Sequence, residues 1–168
     1  TVCISIITFD REVNQILPLT ELADLQIPNI ITPDSGPTFL GKALEMLCNR
    51  IEVEVQKGTP EQKGDWRPLL FVLTDGKPSD IQVYENIIPK VKNKNFASII
   101  ACAAGPKAKI EPLKKLTDQV FTLDTMDATS FEKFFVWVSD VIGVGGKSVG
   151  TTDSLELPGP PAEVNIVI

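Results

Sequence analysis

Apolar positions along this chain switch between a period of about two and a period of about 3.6 residues, and the switches mark its elements. Val2, Ile4, Ile6 and Ile7 predict a strand over Val2–Phe9. Asp10-Arg11-Glu12 reads as a tight turn into a second strand, Val13–Leu19, whose Pro18 confines it to an antiparallel edge. Residues 20–37, rich in Pro, Asp and Thr, read as a loop. The period then lengthens. Leu40, Ala43, Leu44, Leu47, Ile51 and Val55 share one face of a helix predicted over Thr38–Gln56. After a polar linker through Gly58, Pro60 and Gly64, Leu69–Thr74 is an apolar run opened by Pro68 and closed by Asp75-Gly76. That pattern predicts a strand buried on both faces.

The same alternation continues to the end. Ser79 or Asp80 is placed to cap a helix running to about Lys92, with Pro89 disturbing its last turn. Ala97–Ala103 reads as a buried strand, Ile110–Thr117 as a short helix and Val120–Leu123 as a short strand. Asp127–Ile142 reads as a helix with Phe131, Phe134, Phe135, Val138 and Ile142 inward. Strand–helix alternation implies right-handed crossovers. The expected class is therefore α/β: a Rossmann-like, mostly parallel sheet with one antiparallel edge strand and helices on both faces. At Gly143 the composition changes. Residues 1–142 are expected to form the domain, and 143–168 a Gly/Pro-rich tail. The tail holds an acidic stretch, Asp153–Glu156, a stiff Pro158-Gly159-Pro160-Pro161 spacer and a terminal strand in its last six residues.

Two positions stand out chemically. In open α/β sheets, ligand-binding groups gather at the carboxyl ends of strands, which is where Asp75 falls, with Gly76 letting the chain turn beneath it. An Asp-Gly pair after a strand also serves ordinary turns. Thr38 opens the long helix. Its hydroxyl suits an N-cap or, alternatively, a hard cation that takes oxygen donors. Position 41 is Gly, so no capping box favours the first role.

Thr38 with Ala43-Leu44, the apolar strand into Thr74-Asp75-Gly76, and the run Lys63-Gly64-Asp65-Trp66-Arg67-Pro68 resemble a von Willebrand factor A domain of the bacterial tellurium-resistance-associated branch. Ala101-Cys102-Ala103-Ala104-Gly105, Phe134-Phe135-Val136-Trp137-Val138 and the tail around Leu157-Pro158 and Glu163-Val164-Asn165 extend the likeness over nearly the whole chain. The resemblance implies a metal-ion-dependent adhesion site. Thr38 and Asp75 would be metal ligands, supported by the loops at Ser35, Gly36 and Gly76. The cofactor would be Mg²⁺ or another divalent cation. The implied function is binding of a protein partner that offers an Asp or Glu carboxylate, with kinase- or phosphatase-type proteins of a stress-response system among the candidates. A metal-independent scaffold of the same fold is the alternative. The family's first loop carries Asp-x-Ser-x-Ser, and no such run occurs in these 168 residues. The chain accordingly reads as a fragment lacking the first strand, its loop and the first helix, in which the metal is bound weakly or not at all.

Composition narrows the rest. With 43% apolar residues over 168, one domain with a sizeable core is expected. A net charge of −6 argues against nucleic acid as a partner. No apolar run is long enough to span a membrane. The absence of His removes His-based catalysis and zinc sites, and no enzymatic activity is expected. Thr74-Asp75-Gly76-Lys77 lacks the second carboxylate of a haloacid-type phosphatase. Gly143–Ser148 fails the phosphate-loop test, since Val141 stands where the first Gly belongs. Cys3, Cys48 and Cys102 read as buried reduced thiols, which suits a reducing, cytoplasmic setting.

Overall fold

The computed structural model describes residues 1–145 and 157–167. The architecture is α/β, with a mixed, mostly parallel sheet and four helices. Its contacts divide it into two compact units, Thr1–Trp66 with Pro78–Lys94, and Arg67–Lys77 with Asn95–Ile168.

In the first unit, β1 (Cys3–Phe9) and β2 (Val13–Glu21) form an antiparallel hairpin. Asp10 closes the turn by accepting the Glu12 N–H on its carboxylate at 2.7 Å. Helix α1 (Leu40–Glu54) packs on the hairpin and against α2 (Ile81–Lys92). The core of the unit is the face the periodicity marks: Leu40, Ala43, Leu44 and Cys48 of α1 with Tyr84, Ile87, Ile88 and Val91 of α2. Gly41 makes the close approach possible. A Cβ at this position would lie 2.5 Å from the Tyr84 backbone nitrogen and 2.8 Å from a carboxylate oxygen of Asp80. Pro89 sits within α2 without ending it.

The second unit is a four-stranded sheet in the order β3 (Leu69–Thr74), β4 (Ser98–Ala104), β5 (Val120–Leu123), β6 (Val164–Ile166). The first three strands are parallel and β6 is antiparallel. Helix α3 (Ile110–Leu116) lies between β4 and β5 in sequence and packs on both. Helix α4 (Ala128–Gly145) supplies Phe134, Trp137 and Val141 to a cluster with Ile100, Cys102 and Ala104 of β4 and Phe121 and Leu123 of β5.

Several expectations are corrected. Strand β3 is only half-buried over most of its length, whereas β4 is buried at every position except the half-buried Ile99. The reason is position: among the described residues β3 pairs with β4 alone. On α4 the inward residue is Trp137, 3% exposed, and Phe135, 54% exposed, faces outward. The helix also continues past Ile142 to Gly145. Cys3 is exposed on the hairpin, while Cys48 and Cys102 are buried. Burial raises the Cys48 thiol and pushes that of Cys102 up to about 12, so both stay protonated. The terminal strand is shorter than its pattern suggested, and it pairs antiparallel with β5. The acidic stretch Asp153–Glu156 and the Lys147-Ser148 end of the glycine run lie outside the described residues.

The Lys63–Pro68 run has local structural duties. Asp65 accepts the Gln56 N–H at 2.7 Å and returns its own N–H to the Gln56 carbonyl at 2.9 Å, which closes the loop after α1. Gly64 lies too close to the Gly58 backbone for any side chain. Arg67 donates from its guanidinium to the carbonyls of Asn95 and Phe96, the chain entering β4. Asn95 holds a left-handed conformation there, with φ 57°.

Candidate functional site

Asp75 follows the last residue of β3, at the carboxyl edge of the second unit's sheet. The turn after the strand is built by its neighbour. The buried Thr74 hydroxyl donates to the Gly76 carbonyl at 3.2 Å and accepts the Gly76 N–H at 3.4 Å. Asp75 itself is exposed, and its carboxylate takes no hydrogen bond from any described residue. Gly76 does not need the conformational freedom assigned to it from sequence. Among the described glycines only Gly105 has a positive φ, 82°, and a Cβ there would press on the Met126 thioether.

Thr38 lies in the first unit, two residues before α1, and is half-buried. Its backbone is tied at both ends to Ser79: the Thr38 N–H donates to the Ser79 hydroxyl at 2.9 Å, and the Ser79 N–H donates to the Thr38 carbonyl at 2.8 Å. The Thr38 hydroxyl is left with no partner among the described residues. It is not the N-cap of α1. That position is Phe39, and no side chain of the helix caps itself. Asp80 does the work from across the unit, accepting the Gly41 N–H at 3.1 Å and the Lys42 N–H at 2.8 Å. A carboxylate on two free N–H groups at a helix start satisfies donors that would otherwise be unmade and opposes the helix dipole. The spacing offers Ser79 or Asp80 as the cap of α2, but no side-chain bond caps that helix. Ser35 and Gly36 are exposed in the preceding loop.

Two more carboxylates stand near the carboxyl edge of the second unit. Asp124 follows β5 and accepts the Asn165 amide N–H at 3.1 Å, which pins β6. Asp127 accepts the Ser130 N–H at 2.9 Å and the Ser130 hydroxyl at 2.9 Å, and the Thr125 hydroxyl as well. The Thr125 hydroxyl bond and the two Ser130 bonds hold the Asp127 carboxyl at about 2. The Asp-x-x-Ser spacing ahead of an apolar helix was the legible signal for this cap. Because the folded value lies below the ordinary 3.8, the contribution is complete above the ordinary value and is lost as pH falls towards 2. Urea midpoints should show it: Asp127→Asn lowers the midpoint at about pH 5, and the gap to the parent protein closes near about pH 2. A gap that stays constant with pH would mean the carboxylate is not the source.

Among the described residues, no group of three or more His, Cys, Asp or Glu side chains is arranged to hold a metal. Thr38 belongs to the first unit and Asp75 to the second. No helix among the described residues is long and apolar enough to cross a membrane.

The second unit's sheet carries an unengaged aspartate at its carboxyl edge, and a hydroxyl residue stands ahead of the long helix of the first unit. The von Willebrand factor type A domain model matches residues 1–135, and the chain belongs to that family. Its general character is that of a protein-interaction module. No curated protein matches the chain. Among solved structures it is similar to proximal thread matrix protein 1 of the mussel byssus, with 21% identity and a TM-score of 0.54. The match covers 82% of this chain and 33% of the mussel protein, and at that identity it speaks for the fold alone.

Proposed function

We propose that this domain binds a protein partner through a divalent cation held in part by Thr38 and Asp75, with an open coordination position taken by the partner's Asp or Glu carboxylate. The observation that carries this reading is the Asp75 carboxylate, free at the carboxyl end of β3 while Thr74 holds the turn. A hydroxyl and a carboxylate are the hard oxygen donors that Mg²⁺ prefers, so the residues present fit the ion in kind. When bound, the ion supplies an electrophilic position for an incoming carboxylate. Asp75 contributes charge, and Thr38 contributes a neutral oxygen that leaves the ion short of electrons. Catalysis has no part in this reading. Partners of kinase or phosphatase type in a bacterial stress or tellurium-resistance system, in the cytoplasm, belong to the same proposal through the likeness of the Lys63–Pro68 run and the tail.

Two protein donors leave most of an octahedral shell to water, which Mg²⁺ gives up reluctantly. The reading therefore includes a further loop of Asp-x-Ser-x-Ser type, carried on a strand ahead of Thr1. Calorimetric titration with Mg²⁺ and Mn²⁺ tests it. Thr1–Ile168 should bind at least about tenfold more weakly than a longer chain carrying that loop, and Asp75→Ala in the longer chain should remove binding. Equal affinity in both chains would show the loop to be unnecessary. Partner binding that survives both Asp75→Ala and chelation would favour a metal-independent scaffold instead.

A further inference from the structure

We infer that the groove between α4 and the tail is a docking site for an extended, basic segment of a partner protein, of the form basic–x–aliphatic–x–basic. The groove measures ≈ 520 Å³ and lies wholly within the second unit. One wall is a face of α4 and the other is the tail, with Gly159, Pro161 and Glu163. Within the described part of the tail, residues 157–167, three contacts hold the chain. The Trp137 indole N–H donates to the Pro158 carbonyl at 2.9 Å, Lys133 pairs with Glu163, and β6 pairs with β5. The groove thus has firm sides.

Its chemistry lies in one stripe of α4. Glu132, Val136 and Asp140 are spaced i, i+4 and i+8, so they stand in line on the helix. All three are exposed, Val136 by 58%. Lys133, the one cation of the lining, is already engaged by Glu163. Neither the Glu132 nor the Asp140 carboxylate has a hydrogen bond or ion pair with any described residue. The result is an apolar step between two unanswered negative charges, about 12 Å apart along the helix axis at 1.5 Å per residue. In an extended peptide, side chains i, i+2 and i+4 share one face, and i to i+4 spans about 13 Å. Two basic residues flanking an aliphatic one therefore match the stripe in both length and charge. The net charge of −6 would draw such a partner in from a distance. This site is separate from the cation proposed at Thr38 and Asp75, and it needs no metal.

The test uses the two tryptophans of Thr1–Ile168, whose indole N–H signals are followed by ¹⁵N–¹H NMR in metal-free buffer. Trp137 forms part of the groove, and Trp66, 52% exposed in the other unit, serves as the control. Titration with the capped peptide Arg-Ser-Leu-Ser-Arg should shift the Trp137 signal saturably and leave Trp66 in place. The double substitution Glu132→Gln with Asp140→Asn should weaken the peptide roughly five- to tenfold, and raised salt should do the same. The counterpart Glu-Ser-Leu-Ser-Glu should produce no shift. The inference is overturned if no shift occurs at millimolar peptide, if both tryptophans move together, or if the double variant binds as well as the parent. A Trp137 shift that grows with protein concentration alone would assign the groove to a second copy of the chain and overturn it equally.

Discussion

Replacing Gly41 by Ala will destabilise the domain by about 2 kcal/mol, although Ala is the better helix former. Two effects oppose each other. A methyl group inside a helix gains up to about 1 kcal/mol over Gly. Here the added Cβ meets backbone: the Tyr84 nitrogen at 2.5 Å and its Cα at 2.9 Å. Backbone cannot rotate aside as a flexible side chain can, so α1 and α2 must separate. Separation also stretches the bonds from Gly41 and Lys42 to Asp80. Overpacking of this kind costs about 1–3 kcal/mol, and the loss of a cap costs about 1 more. With a urea dependence of about 2 kcal/mol per molar, the midpoint should fall by about 1 M. A neutral or stabilising Gly41→Ala would mean that the two helices are not packed this closely in solution.

Trp137→Ala should have the larger effect, about 4 kcal/mol. Trp137 is 3% exposed and packs between Phe121 and Phe134, with ring centroids 4.8 Å and 5.9 Å away. Truncating a buried aromatic to Ala typically costs about 3–5 kcal/mol. The change also removes the donor that holds Pro158, so the tail should loosen along with the core. In a thermal melt the expected shift is roughly 10 °C. Trp137→Phe separates the two contributions in part, since it keeps an aromatic ring in the cluster while losing the N–H and the smaller share of the packing. It should cost about 1–2 kcal/mol. If Trp137→Ala melts within a degree or two of the parent, the cluster assignment on α4 is wrong.

The strands and helices were legible because their apolar positions either follow the period of the element or run unbroken between turn residues. Leu69–Thr74 and Val120–Leu123 agree with the observed strands residue for residue. What could not be read locally was which partner a polar group finds. Asp80 stands at the head of α2, so spacing assigns it to α2, yet it serves the N–H groups of Gly41 and Lys42, 39 and 38 residues away. The aromatic face of α4 shows another limit. Two successive aromatics, Phe134 and Phe135, leave the helix phase open, and only the sheet decides that Phe134 and Trp137 turn in. Cys3 and β3 were misread for one reason. An apolar context signals burial only if another layer covers it, and coverage is a property of topology. For the site, sequence located Asp75 and Thr38 and the strand and helix they adjoin. It could not show that Thr74 would hold the turn and leave Asp75 free.

The half-covered β3 carries a practical consequence for anyone handling this chain. Leu69, Leu70, Phe71, Val72 and Leu73 form an apolar ribbon, and one side of its backbone has no hydrogen-bonded neighbour among the described residues. Nature usually guards such a ribbon with charge, a bulge or proline within it, and none interrupts these residues. It is a template, and templates make behaviour depend on crowding. A dilute sample and a concentrated one would be different materials, the second prone to sticking chain to chain along this one seam. A single lysine in the seam would be a cheaper safeguard than any change of buffer.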